Sequence, residues 1–533
     1  MTSLGRFTRT GGEFPVGLAL LCGGIAAALV FPLLWLFIEA ASIDVTRARE
    51  LLFRPQTREV VTNSLLLMTG VTGFSILLGV PLAYLTVRTD LPFRRFWSVA
   101  VALPLVIPSY VGAFAFVSAF GPRGEFQSFL APLGIESLPE VYGMAGTVFV
   151  ITLYTYPYVY LTTRAALLSF DTDLIDAARS LNHGRWSAFR RVTLPQIRPA
   201  VAAGALLCAL YAVSDFGTPA IMQLPVFTRQ IYVELYGFSS EYAALLSLQL
   251  LAVVLVVLAV ESRIRPDVTA GGGDGASAGE RSVRLGRWRW PATLLPGAVS
   301  AMALLVPVWI LLLWVRRTGT AYRSDIAFEW VYAFNSLQVA VAAAAVAALV
   351  GLPIAFFVTT HDSRIAVLFE RVTYVGFAVP GVVLGLSLVY FGSEYGSWIY
   401  RSTYLLVFAY VVRFLPQAVG SIRGSLFQVD PRLIEAGRTL GESPLGAFRR
   451  VTLPLVRSGI VAGAALVFLT AMKELPVTLI LAPSEFDTIA TQIWRAQDAG
   501  LFQAAAVPAV ILLVISGLSM VVLLSQEDTE GGL

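Results

Sequence analysis

The sequence predicts an all-α, polytopic membrane protein of twelve transmembrane helices, arranged as two parallel six-helix repeats. Three observations carry this: of 533 residues 57% are hydrophobic and only 14% charged, the apolar residues gather into twelve long segments, and one heptapeptide occurs twice, 259 residues apart. An average soluble protein carries roughly 25% charged residues, and a helix crossing the bilayer takes about 20 mostly apolar ones. Most soluble enzyme classes are thereby excluded.

The apolar segments lie near 15–38, 61–87, 98–120, 143–163, 199–220 and 243–260, then 292–315, 333–358, 373–391, 403–422, 459–481 and 501–524. The first exceeds the roughly 7–15-residue core of a signal peptide and has no small-residue cleavage site, so it reads as a retained span. The expected organisation is a first repeat at 1–262, a linker at 263–291 and a second repeat at 292–533. Within the linker, 267–281 reads DVTAGGGDGASAGER, a glycine- and alanine-rich run with no apolar anchor and hence a flexible connection. Its flanking arginines suit a surface beside anionic membrane lipid.

With both termini placed in the cytoplasm, the inner segments hold 25 arginines and the outer ones 11. This asymmetry is the one the positive-inside rule requires. Arg413 and Lys473, the single lysine, lie within spans. The net charge of +4 is too small to point to nucleic acid, and a lysine inside an apolar segment supplies no phosphate-binding loop. Cys22 and Cys208 form no C-x-x-C pair, and His183 and His361 are too far apart in sequence to imply a metal site or a triad. The run Tyr154, Tyr156, Tyr158, Tyr160 reads as an interfacial aromatic belt in preference to a set of metal phenolates. Pro104, Pro108, Pro157, Pro380 and Pro416 interrupt apolar runs and are expected to kink helices around a central path. No catalytic cluster emerges.

The heptapeptide is FRRVTLP, at 189–195 and 448–454. Upstream, Asp171, Leu174, Ile175, Asp176, Ala177 and Arg179 face Asp430, Leu433, Ile434, Glu435, Ala436 and Arg438; earlier still, Asn63-Ser64 and Pro81 match Asn335-Ser336 and Pro353 at an offset of 272. Six spans per copy is even, so both copies run the same way, related by a pseudo-twofold axis along the membrane normal. The best-matched stretch is a cytoplasmic loop, and a loop held to one pattern twice is expected to bind something. Asp430 suits an N-cap and Pro431 the first helical position. Leu174, Ala177, Ala178 and Leu181, and in the second copy Leu433, Ala436, Gly437 and Leu440, share one helical face. That face serves equally for insertion into a partner's groove or for packing on the protein itself.

These loops resemble the coupling-loop signature E-A-A-x-x-x-G-x9-I-x-L-P of permease subunits in binding-protein-dependent ABC importers. The second copy matches at Glu435, Ala436, Gly437, Gly441, Val451, Leu453 and Pro454. The first copy matches at Asp176, Ala177, Ala178, Val192, Leu194 and Pro195, with Asn182 in place of glycine; asparagine also tolerates left-handed backbone. The resemblance implies a type I importer permease fold in a multi-pass cell-membrane protein. It implies two copies of a cytoplasmic ATPase subunit, one docked on each loop, with Leu181 and Leu440 in the docking helices. It also implies an extracytoplasmic substrate-binding protein as partner, with ATP and magnesium held by the ATPase and no cofactor in this chain, a translocator without enzymatic chemistry of its own.

The segments 211–219 (YAVSDFGTP) and 472–494 (MKELPVTLILAPSEFDTIATQIW) look like those of iron(III)-type permeases, often fused as two halves. This implies ferric iron as substrate; thiamine, phosphonate, polyamine and sulfate belong to related permeases. Asp215 and Glu474 are register-matched between the repeats, and Lys473 adjoins Glu474. Intramembrane carboxylates normally face the bundle interior or a water-filled path, and a hard cation takes oxygen ligands, so these three residues are candidates for the translocation path. They serve as well in a span-to-span ion pair. An ion-coupled secondary transporter is the rival class, since 6+6 repeats occur there too; it would place more ionisable residues in its spans and need no repeated docking loop.

Overall fold

Apolar runs of this length become helices because, without water, each backbone N–H and C=O must be satisfied inside its own segment. The computed structural model describes residues 16–121, 124–134, 141–169, 187, 189–237, 239–264, 283–317, 328–361 and 363–530. Its first half holds α1 (Val16–Ser42), α2 (Pro55–Arg88), α3 (Ser109–Phe120), α4 (Gly143–Leu168), α5 (Leu194–Ser214) and α6 (Ser240–Ile264). The second holds α7 (Gly286–Arg317), α8 (Trp330–Thr360), α9 (Gly381–Glu394), α10 (Thr403–Gln428), α11 (Arg457–Met472) and α12 (Phe502–Glu530). Among the described residues the only extended pairing is an isolated bridge between Thr89 and Val283, where the linker's end, with Leu285 N–H donating to Asp90 at 2.8 Å, is pinned beside α2. Residues 267–281 lie outside the described residues.

Among the described residues eight helices are long and apolar enough to span; α3, α9 and α11 do so only with the helix before them, bent at a short break, and the apolar stretch of α12, Phe502–Leu518, is shorter. Gly381–Glu394 turns 98° from Arg364–Ala378, and the equivalent break before α3 turns 94°. Pro108 and Pro380 sit at the two corners, where a residue without an N–H cannot continue a helix. The freed carbonyls find partners in the tyrosine run. Tyr156 and Tyr160 donate to the carbonyls of Val101 at 2.7 Å and Ser98 at 3.1 Å, and Tyr154, Tyr156 and Tyr160 are buried. These rings are interior, not an interfacial belt, because buried carbonyls exposed by the break need donors.

The repeat is visible in the packing. α2, α4 and α5 pack mutually, as do α8, α10 and α11. The first helix of each half crosses to the other: α1 lies against α9, with the Trp35 and Phe391 rings 5.4 Å apart, and α7 lies against α3, with the Trp314 indole N–H donating to the Ser118 hydroxyl. Asn63 and Asn335 donate to the carbonyls of Pro225 (3.1 Å) and Asp487 (2.9 Å), while Ser64 and Ser336 accept the amides of Phe227 (3.1 Å) and Ile489 (2.8 Å). The matched Asn-Ser pair thus ties α2 and α8 to an orphan N–H at the start of a short helix, Phe227–Tyr236 and Ile489–Asp498 respectively. Ser336→Ala removes an acceptor from a buried amide and is expected to cost about 1–3 kcal/mol, read as a lower melting temperature in detergent.

Two predicted spans are shorter than their apolar runs. Segments 199–220 and 459–481 end as helices at Ser214 and Met472, and the chain turns at Asp215 and Lys473 into the short helices Gly217–Ile221 and Pro476–Leu481. Hydropathy does not register the turn because the residues beyond it are again apolar and buried.

Candidate functional site

The candidate docking loop of the second half contains the helix Pro431–Thr439. Asp430 caps it by accepting the Arg432 amide at 2.9 Å, Pro431 occupies the first turn, and Gly441 closes it with φ +94°, a left-handed conformation that glycine adopts without strain. No residue of this helix is buried. Leu433, Glu435, Ala436 and Leu440 face outward, Leu440 being 86% exposed. Gly437 does not share that face: a Cβ there would lie 3.4 Å from Val451, so it belongs to the inner side, where the absence of a side chain lets the helix lie close to the following segment. FRRVT forms a π-helical turn in both copies, Phe189–Thr193 and Phe448–Thr452, and Leu194-Pro195 and Leu453-Pro454 then open the next helix. Asp176, Ala177, Ala178, Leu181 and Asn182 lie outside the described residues.

Asp215, Lys473 and Glu474 come together in one cavity of about 260 Å³ between the halves, also lined by Ser109, Tyr110, Tyr158, Tyr211, Arg413 and Thr470. On the first-half side Ser109 donates to Asp215 at 3.1 Å and Tyr211 donates to Ser109 at 3.0 Å. On the second-half side Glu474, 7% exposed, faces Arg413 at 3.4 Å and accepts the Val477 amide at 3.2 Å. Lys473 reaches across to the carbonyl of Val106 at 2.7 Å. Each charge thus has a polar partner, as burial among spans demands. Two buried polar atoms on the lining have no hydrogen-bond partner, Arg413 Nη1 and the Tyr110 hydroxyl. Among the described residues no group of three or more His, Cys, Asp or Glu is placed to hold a metal ion.

Arg413 was not among the candidates from sequence, although a second basic residue inside a span is a usable signal. The repeat pairs it with Tyr154, and pairs Lys473 with Ser214 and Ser109 with Gly381. Both cations of the cavity therefore come from the second half. His361 lies apart, stacked on Phe357 at 4.8 Å.

A family model described as binding-protein-dependent transport system inner membrane component matches residues 75–268 and 347–526. A Fe(3+)-transport system permease protein of Haemophilus influenzae is 32% identical over 518 residues, covering 96% of this chain and 98% of its own length. A ferric transport system permease protein of Actinobacillus pleuropneumoniae is 25% identical, over 91% of this chain and 74% of its own. A molybdate/tungstate transport system permease protein of Thermococcus kodakarensis is 28% identical, over 44% of this chain and 87% of its own. With the match falling once in each half, the chain belongs to the family of binding-protein-dependent transport system inner membrane components and carries that domain twice in one polypeptide.

Proposed function

We propose that this inner-membrane permease passes ferric iron, delivered by an extracytoplasmic binding protein, through the cavity between its halves. The observation that carries the substrate is the near full-length similarity to a Fe(3+)-transport permease, 96% of this chain. The cavity's oxygen groups, Asp215, Glu474, Tyr110 and Tyr211, are of the class a hard cation accepts. The energy comes from two copies of an ATPase subunit, which hold ATP and magnesium; this chain supplies no hydrolytic residues. Each motor docks on one loop, through Asp176, Ala177, Ala178, Leu181 and Asn182 in the first half and Glu435, Ala436, Leu440 and Gly441 in the second. Both termini lie in the cytoplasm, the basic flanks of the linker lie beside anionic lipid, and the organisation is two permease repeats, 1–262 and 292–533, joined at 263–291.

Arg413 and Lys473 in the cavity, with the half-length similarity to a molybdate/tungstate permease, favour a second reading in which an oxyanion is carried. Proteoliposomes holding the permease, its ATPase and the cognate binding protein separate the two. Radiolabelled ferric iron is expected to accumulate with ATP, and molybdate and thiamine are not; ATP-driven molybdate uptake without iron uptake would overturn the ferric assignment.

A further inference from the structure

We propose that Glu474 forms one side of a cation site which Arg413 occupies as a tethered counter-cation, so that an incoming multivalent cation binds by displacing the guanidinium. This rests on the reading of the cavity as the translocation path and names a residue that governs what enters it.

The two halves place different groups around equivalent acids. In the first half the acid is Asp215, and the neutral hydroxyl of Ser109 donates to it at 3.1 Å. The repeat puts Gly381 where Ser109 stands, and the volume a side chain would fill there is taken by Arg413. A Cβ built on Gly381 would lie 2.1 Å from Arg413 Nη1 and 2.9 Å from Glu474 Oε1. The missing side chain makes room for the Arg413–Glu474 pair. The counterpart of Arg413 is Tyr154, whose hydroxyl points instead to the Ala303 carbonyl at 3.4 Å, so no equivalent cation comes from the first half.

The pair is built to be broken. An arginine fixed for structure usually meets a carboxylate through two parallel bonds of about 2.8 Å. Here one long contact joins Nε to Oε2 at 3.4 Å, and Nη1, although buried, has no partner. Glu474 Oε1 accepts the backbone amide of Val477 at 3.2 Å. Around the same cavity stand Asp215 and the unpartnered Tyr110 hydroxyl, further oxygen donors for a hard ion. A buried carboxylate left alone is strongly destabilising. Keeping Arg413 on Glu474 until a cation arrives avoids that state, and the arriving ion exchanges one counter-charge for another.

The test uses the purified full-length permease alone, titrated with Tb³⁺, a hard trivalent ion whose emission is sensitised by nearby tyrosines. Arg413→Gln is expected to lower the half-saturating Tb³⁺ concentration about tenfold, and adding Glu474→Gln is expected to abolish the gain. Gly381→Ala keeps both charged residues but puts a methyl where Nη1 lies; it is expected to shift the titration in the same direction, and it carries the test if Arg413→Gln does not fold. Tb³⁺ should also raise the melting temperature of Arg413→Gln more than that of the wild type, since a ligand stabilises the state that binds it. Equal affinities in the wild type and in whichever of Arg413→Gln and Gly381→Ala folds would overturn the proposal. Because no ATPase or binding protein is present, the result is independent of the uptake assay: iron-free uptake would sink the substrate assignment and leave the Tb³⁺ titration standing.

Discussion

Replacing Leu433 and Leu440 together with arginine is expected to abolish ATP-driven uptake and to strip ATPase from the second docking loop, while the permease remains folded. Leu440 is 86% exposed and Leu433 49%, so neither supports the core and their change costs the free protein little. In a docked complex they would be buried apolar anchors, and fully burying a leucine side chain contributes about 2 kcal/mol, so that each loss is roughly thirtyfold in affinity. Co-purification with tagged ATPase should fall to the single copy held by the first loop. Gly437→Val provides the contrasting variant: its Cβ faces Val451 at 3.4 Å, so it should tilt the helix and reduce coupling without placing new charge on the outer face. Full ATPase retention in the double arginine variant would show that the exposed leucines are not the docking surface.

Much of this arrangement was legible in the sequence because duplication writes each structural duty twice. Asn63-Ser64 and Asn335-Ser336 form a short match at 272 residues, and both pairs tie a span to the start of a short helix. Asp215 and Glu474 were register-matched and do line one cavity. What the pattern could not show is where the copies diverge in use. Gly381 against Ser109 looks like an unremarkable small-residue exchange until the Arg413 guanidinium is found in the vacant volume. The interior place of the tyrosine run is hidden from the sequence because alternation does not reveal that broken helices nearby expose carbonyls needing hydroxyl donors. The crossing of α1 and α7 onto opposite halves was equally hidden, since hydropathy sets the number of spans and says nothing of which bundle each joins.

The divergence between the two acids gives the sharpest energetic expectation. Glu474→Gln leaves Arg413 buried against a neutral amide, and removing one partner of a buried ion pair typically costs about 3–5 kcal/mol; with Arg413 still 17% exposed, the lower end is expected. Asp215→Asn keeps a partner for the Ser109 hydroxyl and leaves no stranded counter-ion there, so its cost should be about 1 kcal/mol. Melting temperatures should therefore fall clearly for Glu474→Gln and little for Asp215→Asn. Replacing both members of the pair, Arg413→Met with Glu474→Leu, should recover most of the loss, because apolar substitutes of similar volume often match a buried pair in stability. Transport should follow a different order: iron uptake is expected to fail in the recovered double variant as completely as in Glu474→Gln. A stable Arg413→Met/Glu474→Leu protein that still accumulates iron would mean that Glu474 serves packing alone and that the path runs elsewhere. A stable protein that accumulates none would place the Arg413–Glu474 pair on the path, since the pair's structural contribution would already have been replaced.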